Sequence, residues 1–270
     1  MKITLFDSAG SFRDSFKTQL LKYLAKAYPN AEIAGLMCDN NAFTVHKFSK
    51  HIKTSDMVVI WNGSEMGCFW AKEICKAFNK PFCVVERGLF PQGNSNFIVD
   101  KEGICCRSES IQEKYLDKSN FDQFKKTISE HFLKNNLEYK NPEEKYVFVF
   151  QLEFDSTVYH YSNFLSNEDM VDKFVKSNKI NPSKVVICPH PRNRNIESKY
   201  KVSQKRTIEE CQNAKLAIGI SSTTMYEILA MGCPVKVLGG NNKLVHPINR
   251  QWSDKNLIIP TILQNQLELT

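Results

Sequence analysis

Short apolar segments rich in β-branched and aromatic residues recur along the first part of the chain, and longer amphipathic stretches separate them. A short apolar run is typical of a buried strand, whereas apolar residues three and four positions apart are typical of a helix with one buried face. The pattern predicts strands at 3–6, 33–37, 57–61 and 82–85, and helices at 12–27 and 68–78. This alternation favours a parallel sheet with helices on both faces.

The polar stretch 141–145, with the sequence Asn-Pro-Glu-Glu-Lys, follows a helical pattern at 111–137 and is typical of a linker. The alternation then restarts. It predicts strands at 146–152, 184–188, 216–220 and 235–238, and helices at 169–176, 207–212 and 224–231. We therefore expect an α/β fold with two Rossmann-like lobes, residues 1–140 and 141–270, and a cleft between them.

Residues 94–107 depart from the alternation. Two apolar triplets, at 97–99 and 104–106, stand on either side of Asp100-Lys101-Glu102-Gly103. An Asp-to-Gly turn between apolar segments indicates a small β-hairpin.

The composition is 42% hydrophobic and 24% charged, which is typical of a globular protein and excludes a disordered or collagen-like chain. No apolar run approaches the length of about 18 residues that a membrane span needs. The first residues reach an acid before any long apolar stretch, unlike a secretory signal. We therefore expect a cytoplasmic protein.

The formal net charge of +7 favours anionic ligands, but the Lys and Arg residues are scattered and form no stripe of the kind that binds nucleic acid. The nine cysteines include no Cys-x-x-Cys pair. In a chain without a secretory signal they indicate reduced thiols rather than a disulfide framework or a zinc site.

Ligands of open α/β sheets bind beyond the carboxyl ends of the strands, so polar clusters at those places are the candidate site. Glu86 and Arg87 follow the strand predicted at 82–85, although they also fit a surface ion pair. Gln151 and Asp155 lie at the end of the first strand of the second lobe, where Asp155 also fits a helix cap. His190 and Arg192 follow the strand predicted at 184–188. Prolines on both sides restrict the backbone at His190, and the pair suits an anion.

The segment Gly219-Ile220-Ser221-Ser222-Thr223-Thr224 takes a strand into a helix through four consecutive hydroxyl residues. A helix N-terminus with backbone N–H groups and hydroxyls is a phosphate site, and we favour this interpretation over simple N-capping. Glu227, one turn later, suits the two hydroxyls of a ribose. The chain contains no Walker or Gly-x-Gly-x-x-Gly motif, which leaves a mononucleotide as the expected ligand.

These clusters resemble those of the retaining β-Kdo glycosyltransferases of bacterial capsule and lipopolysaccharide assembly, which use CMP-Kdo. The resemblance spans roughly residues 80–240. Its most specific parts are Glu86-Arg87-Gly88 with Pro91-Gln92, then Phe97-Ile98-Val99-Asp100-x-x-Gly103, and then Gln151-x-x-x-Asp155-Ser156. The His190-Pro191 and Ser221-Ser222-Thr223…Glu227 elements are similar to those of other two-lobed GT-B-type transferases, including users of CMP-sialic acid.

The resemblance implies a GT-B-like fold, with an acceptor-side N-terminal lobe and a C-terminal lobe that binds CMP. It implies Asp155 as the nucleophile and Glu86 as a second catalytic carboxylate. His190, Ser221, Ser222 and Thr223 would hold the phosphate, and Glu227 the ribose. The further substrate-binding residues expected are Arg87, Gln92, Asp100, Gln151 and Arg192.

Transfer with retention requires two inversions, and hence a covalent intermediate on a carboxylate. We expect no metal or other cofactor, because backbone and basic groups can neutralise the departing phosphate. The expected partners are a CMP-sugar donor and a glycan or glycolipid acceptor, with peripheral contact at the inner membrane left open and no nucleic acid.

Two alternatives remain. One is a related enzyme that uses UDP or another CMP-nonulosonate. The other is a non-catalytic protein that binds a nucleotide or glycan.

Overall fold

The computed structural model describes residues 1–7, 15–37, 42–61, 66–103, 105–240 and 244–268. It is a mixed α/β protein that divides into two compact units. The first unit comprises Met1–Gly88, Gly93–Ile111 and Asn265–Thr270, and the second comprises Leu89–Gln92 and Gln112–Gln264. Within the described ranges, no helix is both long enough and apolar enough to cross a membrane.

The strands, in chain order, are β1 (Lys2–Asp7), β2 (Glu32–Met37), β3 (Met57–Trp61), β4 (Phe82–Leu89), β5 (Gln92–Asp100), β6 (Glu143–Val149), β7 (Val185–Cys188), β8 (Lys201–Val202), β9 (Ala214–Gly219), β10 (Val235–Val237) and β11 (Gln266–Glu268). The α-helices are α1 (Ser15–Ala27), α2 (Ala42–Thr54), α3 (Met66–Ala77), α4 (Phe121–Lys134), α5 (Ser156–Tyr161), α6 (Asn167–Ser177), α7 (Thr207–Glu210), α8 (Thr224–Ala230) and α9 (Ile258–Asn265).

The first unit is built on a sheet with the strand order β11-β5-β4-β3-β1-β2. β2, β1, β3 and β4 pair in parallel, and β11 pairs antiparallel with β5. Successive strand residues point to opposite faces, so Leu5 packs with Leu20 of α1 and Phe6 packs with Ile52 of α2. Helices therefore cover both faces, as the alternation in the sequence predicted.

The second unit is built on a sheet with the order β10-β9-β6-β7-β8, in which every neighbouring pair is parallel. Phe148, Ile187 and Ile218, from the three central strands, are buried against Met170 and Phe174 of α6. Such near-continuous apolar strands are typical of a parallel sheet covered by helices. Both predicted α/β halves are therefore present, while their arrangement as a GT-B pair stays a prediction.

Residues 112–140 lie with the second unit, whereas the sequence placed the division after residue 140. The backbone N–H of Lys140 donates to Gln212 O at 2.9 Å, and the Tyr139 hydroxyl donates to Ala214 O at 3.1 Å. The polar residues from Glu143 onward form β6 instead of a linker. Side-chain and backbone contacts with a distant segment decide this placement, and local composition does not report them.

The hairpin predicted at 94–107 is wrong. β5 lies between β4 and β11, and Cys105–Arg107 is a 3₁₀ helix. The reason is Asp100, a residue that is only 4% exposed. Its carboxylate accepts hydrogen bonds of 2.8–3.1 Å from the backbone N–H groups of Glu102, Gly103, Glu109 and Ser110 and from the hydroxyls of Ser108 and Ser110.

We predict that Asp100→Asn lowers the free energy of unfolding at pH 7 by about 2–4 kcal/mol, because an amide NH₂ then faces N–H donors that a carboxylate satisfied. Burial raises the pKa of Asp100, but hydrogen bonds from Ser110, Glu102 and Gly103 outweigh it, and the net pKa is lowered. The stabilisation is therefore present above the ordinary aspartate pKa and is lost as the pH falls through the lowered one. Urea unfolding at pH 7 and at pH 3 measures both effects.

The matched control is Glu130→Gln, which removes an exposed carboxylate paired with Lys126 on α4. It should change stability by less than about 0.5 kcal/mol. An Asp100→Asn variant as stable as this control would show that the loop does not depend on the carboxylate.

Candidate functional site

The candidate site lies at the carboxyl ends of β9, β6 and β7, three adjacent strands of the second sheet. The strands end at Gly219, Val149 and Cys188. Gln151, His190 and Ser221 each come two residues after one of these ends. Because the strands are parallel, their ends share one edge of the sheet, and the structure therefore brings these three predicted residues to the same edge.

Gln151 ties the ends of β6 and β9 together. Its side-chain Oε1 accepts hydrogen bonds from the Ser221 backbone N–H at 2.9 Å and from the Ser221 hydroxyl at 3.2 Å. Its backbone N–H donates to Asn167 Oδ1, and its carbonyl accepts from Asn167 Nδ2 at 2.8 Å. Gln151 and Ser221 are both buried, so these bonds satisfy polar groups that water does not reach.

Asp155 lies in the turn between β6 and α5, half-buried. Its N–H donates to Leu152 O, and its carbonyl accepts the Tyr159 N–H, so it occupies the cap position of α5. β6 ends at Val149, which means that Glu153 and Asp155 do not share a strand face. Glu153 instead accepts from the Asn167 backbone N–H at 3.1 Å and from its side chain at 2.9 Å.

His190 is half-buried, and its ring is oriented by its neighbours. Nδ1 accepts a hydrogen bond from the Arg192 N–H at 3.1 Å. In the neutral ring the proton is therefore on Nε2, which becomes the side chain's donor. Burial lowers the pKa of His190, the Arg192 charge lowers it further, and the Asp155 carboxylate acts in the opposite direction. This coupling places Asp155 and His190 within electrostatic reach of each other.

A cavity of about 210 Å³ opens beside His190. Phe150 and Gln151, which directly follow β6, contribute to its lining, and so do three carboxylates. The remaining lining residues are Glu153, Ser166, Asn167, Glu168, Pro189, Asn193, Ile196 and Glu197. Arg192, which the sequence also assigned to the site, is exposed and does not line this cavity.

Ser221, Ser222 and Thr223 lead from β9 into α8. Gln151 already holds the N–H and hydroxyl of Ser221. Ser222 and Thr223 are half-exposed, and among the described residues their backbone N–H groups have no acceptor. The Thr223 side chain makes no capping hydrogen bond. Since α8 has only seven residues, these donors, rather than a long helix dipole, are what the segment offers an anion.

Glu227 lies in the first turns of α8, and its Oε1 contacts His131 Nε2 of α4 at 3.1 Å. Both side chains are largely buried, at 17% and 19% exposed. The sequence pattern indicated Glu227 but neither His131 nor Asn167. A lone His and a lone Asn on amphipathic helices carry no local signal, and only the tertiary contacts show what they hold.

Glu86 and Arg87 lie inside β4, which continues to Leu89, and not after a strand end as the sequence suggested. The Glu86 carboxylate accepts the Arg87 backbone N–H at 2.8 Å, and both residues are half-buried. Gln92 is the first residue of β5, and its side chain is outside the described part. Asp100 is engaged by its own loop, so substrate contact there would have to displace hydrogen bonds already made.

Among the described residues, no three His, Cys, Asp or Glu side chains converge in a group that could hold a metal ion. The donors at the strand ends are backbone N–H groups, hydroxyls and one imidazole. This set can bind an anion by hydrogen bonding and can place a carboxylate, Asp155, near it.

No protein-family model matches the chain, and no curated protein sequence matches it. Among solved structures, it is similar to the Thermosulfurimonas dismutans KpsC beta Kdo 2,7 transferase, with a TM-score of 0.62 and 12% identity over 100% of this chain and 96% of that chain. An ABC sugar transporter subunit from Rhodobacter sphaeroides matches with a TM-score of 0.30 at 9% identity, covering 86% of this chain and 74% of that one. A LacI-type regulator from Bacteroides fragilis matches with a TM-score of 0.29 at 9% identity, covering 84% of this chain and 72% of that one. At these identities the first likeness shows the fold alone: the chain has the fold of a Kdo transferase structure.

Proposed function

We propose that this protein is a glycosyltransferase that moves Kdo from CMP-Kdo to a glycan or glycolipid acceptor with retention, giving a β linkage. The observation that carries the proposal is the full-length likeness to a Kdo transferase structure. Gln151, His190 and Ser221 support it, because they lie at one sheet edge, and Asp155 lies in the turn that follows β6 and acts electrostatically on His190. All four come from the motifs that resemble such enzymes.

In the proposed donor complex, the CMP phosphate lies against the second sheet's edge. His190 Nε2 and the N–H groups of Ser222 and Thr223 donate to its oxygens, and Ser221 acts mainly by holding this segment to Gln151. Donors fixed before the ligand arrives stabilise the charge that grows on departing CMP without reorganising. Glu227 accepts from the ribose hydroxyls.

In the proposed reaction, an Asp155 oxygen attacks the anomeric carbon as the bond from that carbon to the CMP phosphate oxygen breaks. CMP leaves with the bonding electron pair. An acceptor hydroxyl then attacks the same carbon, Glu86 takes its proton, and the ester to Asp155 breaks. Two inversions give net retention.

The direct test is to incubate the protein with CMP-Kdo and candidate acceptors, and then to measure CMP release and determine the anomeric configuration of the product. A related transferase with another donor would instead be stabilised against heat by UDP, or would turn over a different CMP-nonulosonate. A non-catalytic binding protein would bind CMP and release none from CMP-Kdo.

We predict that His190→Ala weakens CMP binding by about 1.5–3 kcal/mol, the usual loss for a charge-assisted hydrogen bond. Burial and the Arg192 charge lower the pKa of His190 in the free protein, and an anion bound beside the ring raises it. Binding therefore takes up a proton, and CMP affinity should rise as the pH falls. Calorimetry across pH 6–8 measures both effects. His51→Ala, an exposed histidine on α2, is the control. Unchanged affinity in a folded His190→Ala variant contradicts the assignment.

Glu86→Gln should reduce turnover by about 10²–10⁴-fold, the usual contribution of general base catalysis, and leave CMP binding unchanged. The amide keeps the side chain's shape and removes its capacity to take a proton. Steady-state transfer rates and CMP titrations measure the two effects. Glu73→Gln, an exposed carboxylate on α3, should retain full activity. A Glu86→Gln variant with more than about a tenth of the rate rules out this role.

Asp155→Asn should fold, bind CMP and lose transfer by at least about 10³-fold, because a nucleophile acts only in the chemical step. Intact-protein mass spectrometry after mixing with CMP-Kdo, with peptide mapping, should place a Kdo adduct on Asp155. Glu153→Gln is the matched comparison, since Glu153 is the neighbouring carboxylate and is engaged by Asn167. An adduct on Glu153, or full activity in Asp155→Asn, overturns the proposal.

A further inference from the structure

The contact between His131 and Glu227 joins two helices of the second unit whose residues are 96 positions apart. An ionised carboxylate only accepts hydrogen bonds, so Nε2 of His131 must carry the proton and donate. At 3.1 Å, with both side chains largely buried, this is a well-formed bond rather than a mobile surface pair.

The His131 ring is held by aromatic neighbours. The Phe90 ring packs against it edge to face, with centroids 5.2 Å apart, and the Phe132 ring does so at 5.1 Å. Phe90 is fully buried, between β4 and β5. Such edge-to-face pairs fix ring orientation, so the direction in which Nε2 points is set before any ligand arrives.

Glu227 is held through one oxygen. Within the part of the chain that the structure describes, Oε1 bonds His131, and the carboxylate makes no other hydrogen bond or ion pair with the protein. Oε2 is therefore available as an acceptor, four residues along the chain from Thr223. A carboxylate that accepts from ribose hydroxyls is a common element of nucleotide sites.

We propose that His131 is a positioning residue that fixes Glu227 for the ribose of the donor nucleotide; this inference rests on the proposed function. A glutamate side chain has three rotatable bonds, and ordering it on binding costs free energy. The His131 bond orders it beforehand and leaves Oε2 for the 2′- and 3′-hydroxyls. The contact should therefore contribute to ribose recognition specifically, and not to recognition of the phosphate.

The test compares CMP with 2′-deoxy-CMP, because their affinity ratio cancels effects on the phosphate and on folding. Wild-type protein should bind CMP at least about tenfold more tightly, the loss expected for one hydrogen bond to a charged group. Glu227→Gln should bring the ratio close to one, because the His131 donor engages the amide oxygen and leaves the ribose an NH₂ group, which cannot accept a hydrogen bond. His131→Phe, which keeps the aromatic packing and removes the donor, should lower the ratio at least about threefold, and His131→Gln, which keeps a donor, should restore most of it.

The double variant His131→Phe/Glu227→Gln should show no further loss beyond Glu227→Gln alone, because the histidine acts through the glutamate. Glu130→Gln, the exposed neighbour on α4, is the control and should keep the wild-type ratio. If His131→Phe does not fold, His131→Asn replaces it, since its amide is too short to reach Glu227.

Wild-type protein that binds no CMP contradicts the proposed function itself. If the wild-type protein discriminates the two nucleotides, and the ratio is lost in Glu227→Gln but kept in His131→Phe, only the role of His131 is overturned. A ratio kept in Glu227→Gln overturns the ribose contact and the positioning role with it.

Discussion

The hydrogen bonds of Gln151 are the constraint on which the candidate site depends. Parallel strands leave polar backbone groups where they end, and such groups cannot be buried without partners. The Gln151 side chain accepts from Ser221, and the Asn167 side chain pairs with the Gln151 backbone. As a result β6 and β9 end, and α6 begins, at one fixed junction. Asp155 follows Gln151 by four residues, and Ser222 and Thr223 follow Ser221 directly. Their positions therefore derive from this junction.

The polar residues picked out by the motifs fall into two physical groups. Asp100, Gln151 and Ser221 are buried, and their hydrogen bonds go to other protein groups. His190 and Ser222 are half-exposed, and among the described residues nothing accepts from the His190 Nε2 or the Ser222 backbone N–H. A single sequence motif thus combines residues that stabilise the protein structure with residues that can bind a ligand. Burial and partners separate the two groups, and the sequence alone does not.

The local sequence pattern was enough to predict the strands that are formed by a continuous run of apolar residues. The strands β1, β3, β7 and β9 are apolar runs, and each was predicted within two residues at either end. The strand β11 and the placement of residues 112–140 depend on partners distant in sequence, so no window of the chain reveals them. The partners of Asp100 lie within ten residues of it, but the Asp-to-Gly pattern of its loop also fits a hairpin turn, and only the side-chain hydrogen bonds distinguish the two. The same holds for His131, whose partner Glu227 is 96 residues away. The roles of Asp155 and Glu86 stay predictions, because position alone does not establish chemistry.

The electrostatics of His190 indicate how such a site can meet an anion without carrying a buried charge beforehand. Burial and Arg192 lower the pKa of the ring, so it is neutral at pH 7 in the free protein. Even a partly buried cation without a partner costs stability, and the neutral ring avoids that cost. In the proposed donor complex, a phosphate at Nε2 would raise the pKa of the ring, which would then take up a proton as the anion binds. In the proposed reaction the negative charge on CMP grows as the bond breaks, so the same response stabilises the leaving group more than the bound donor. That difference is what accelerates a reaction.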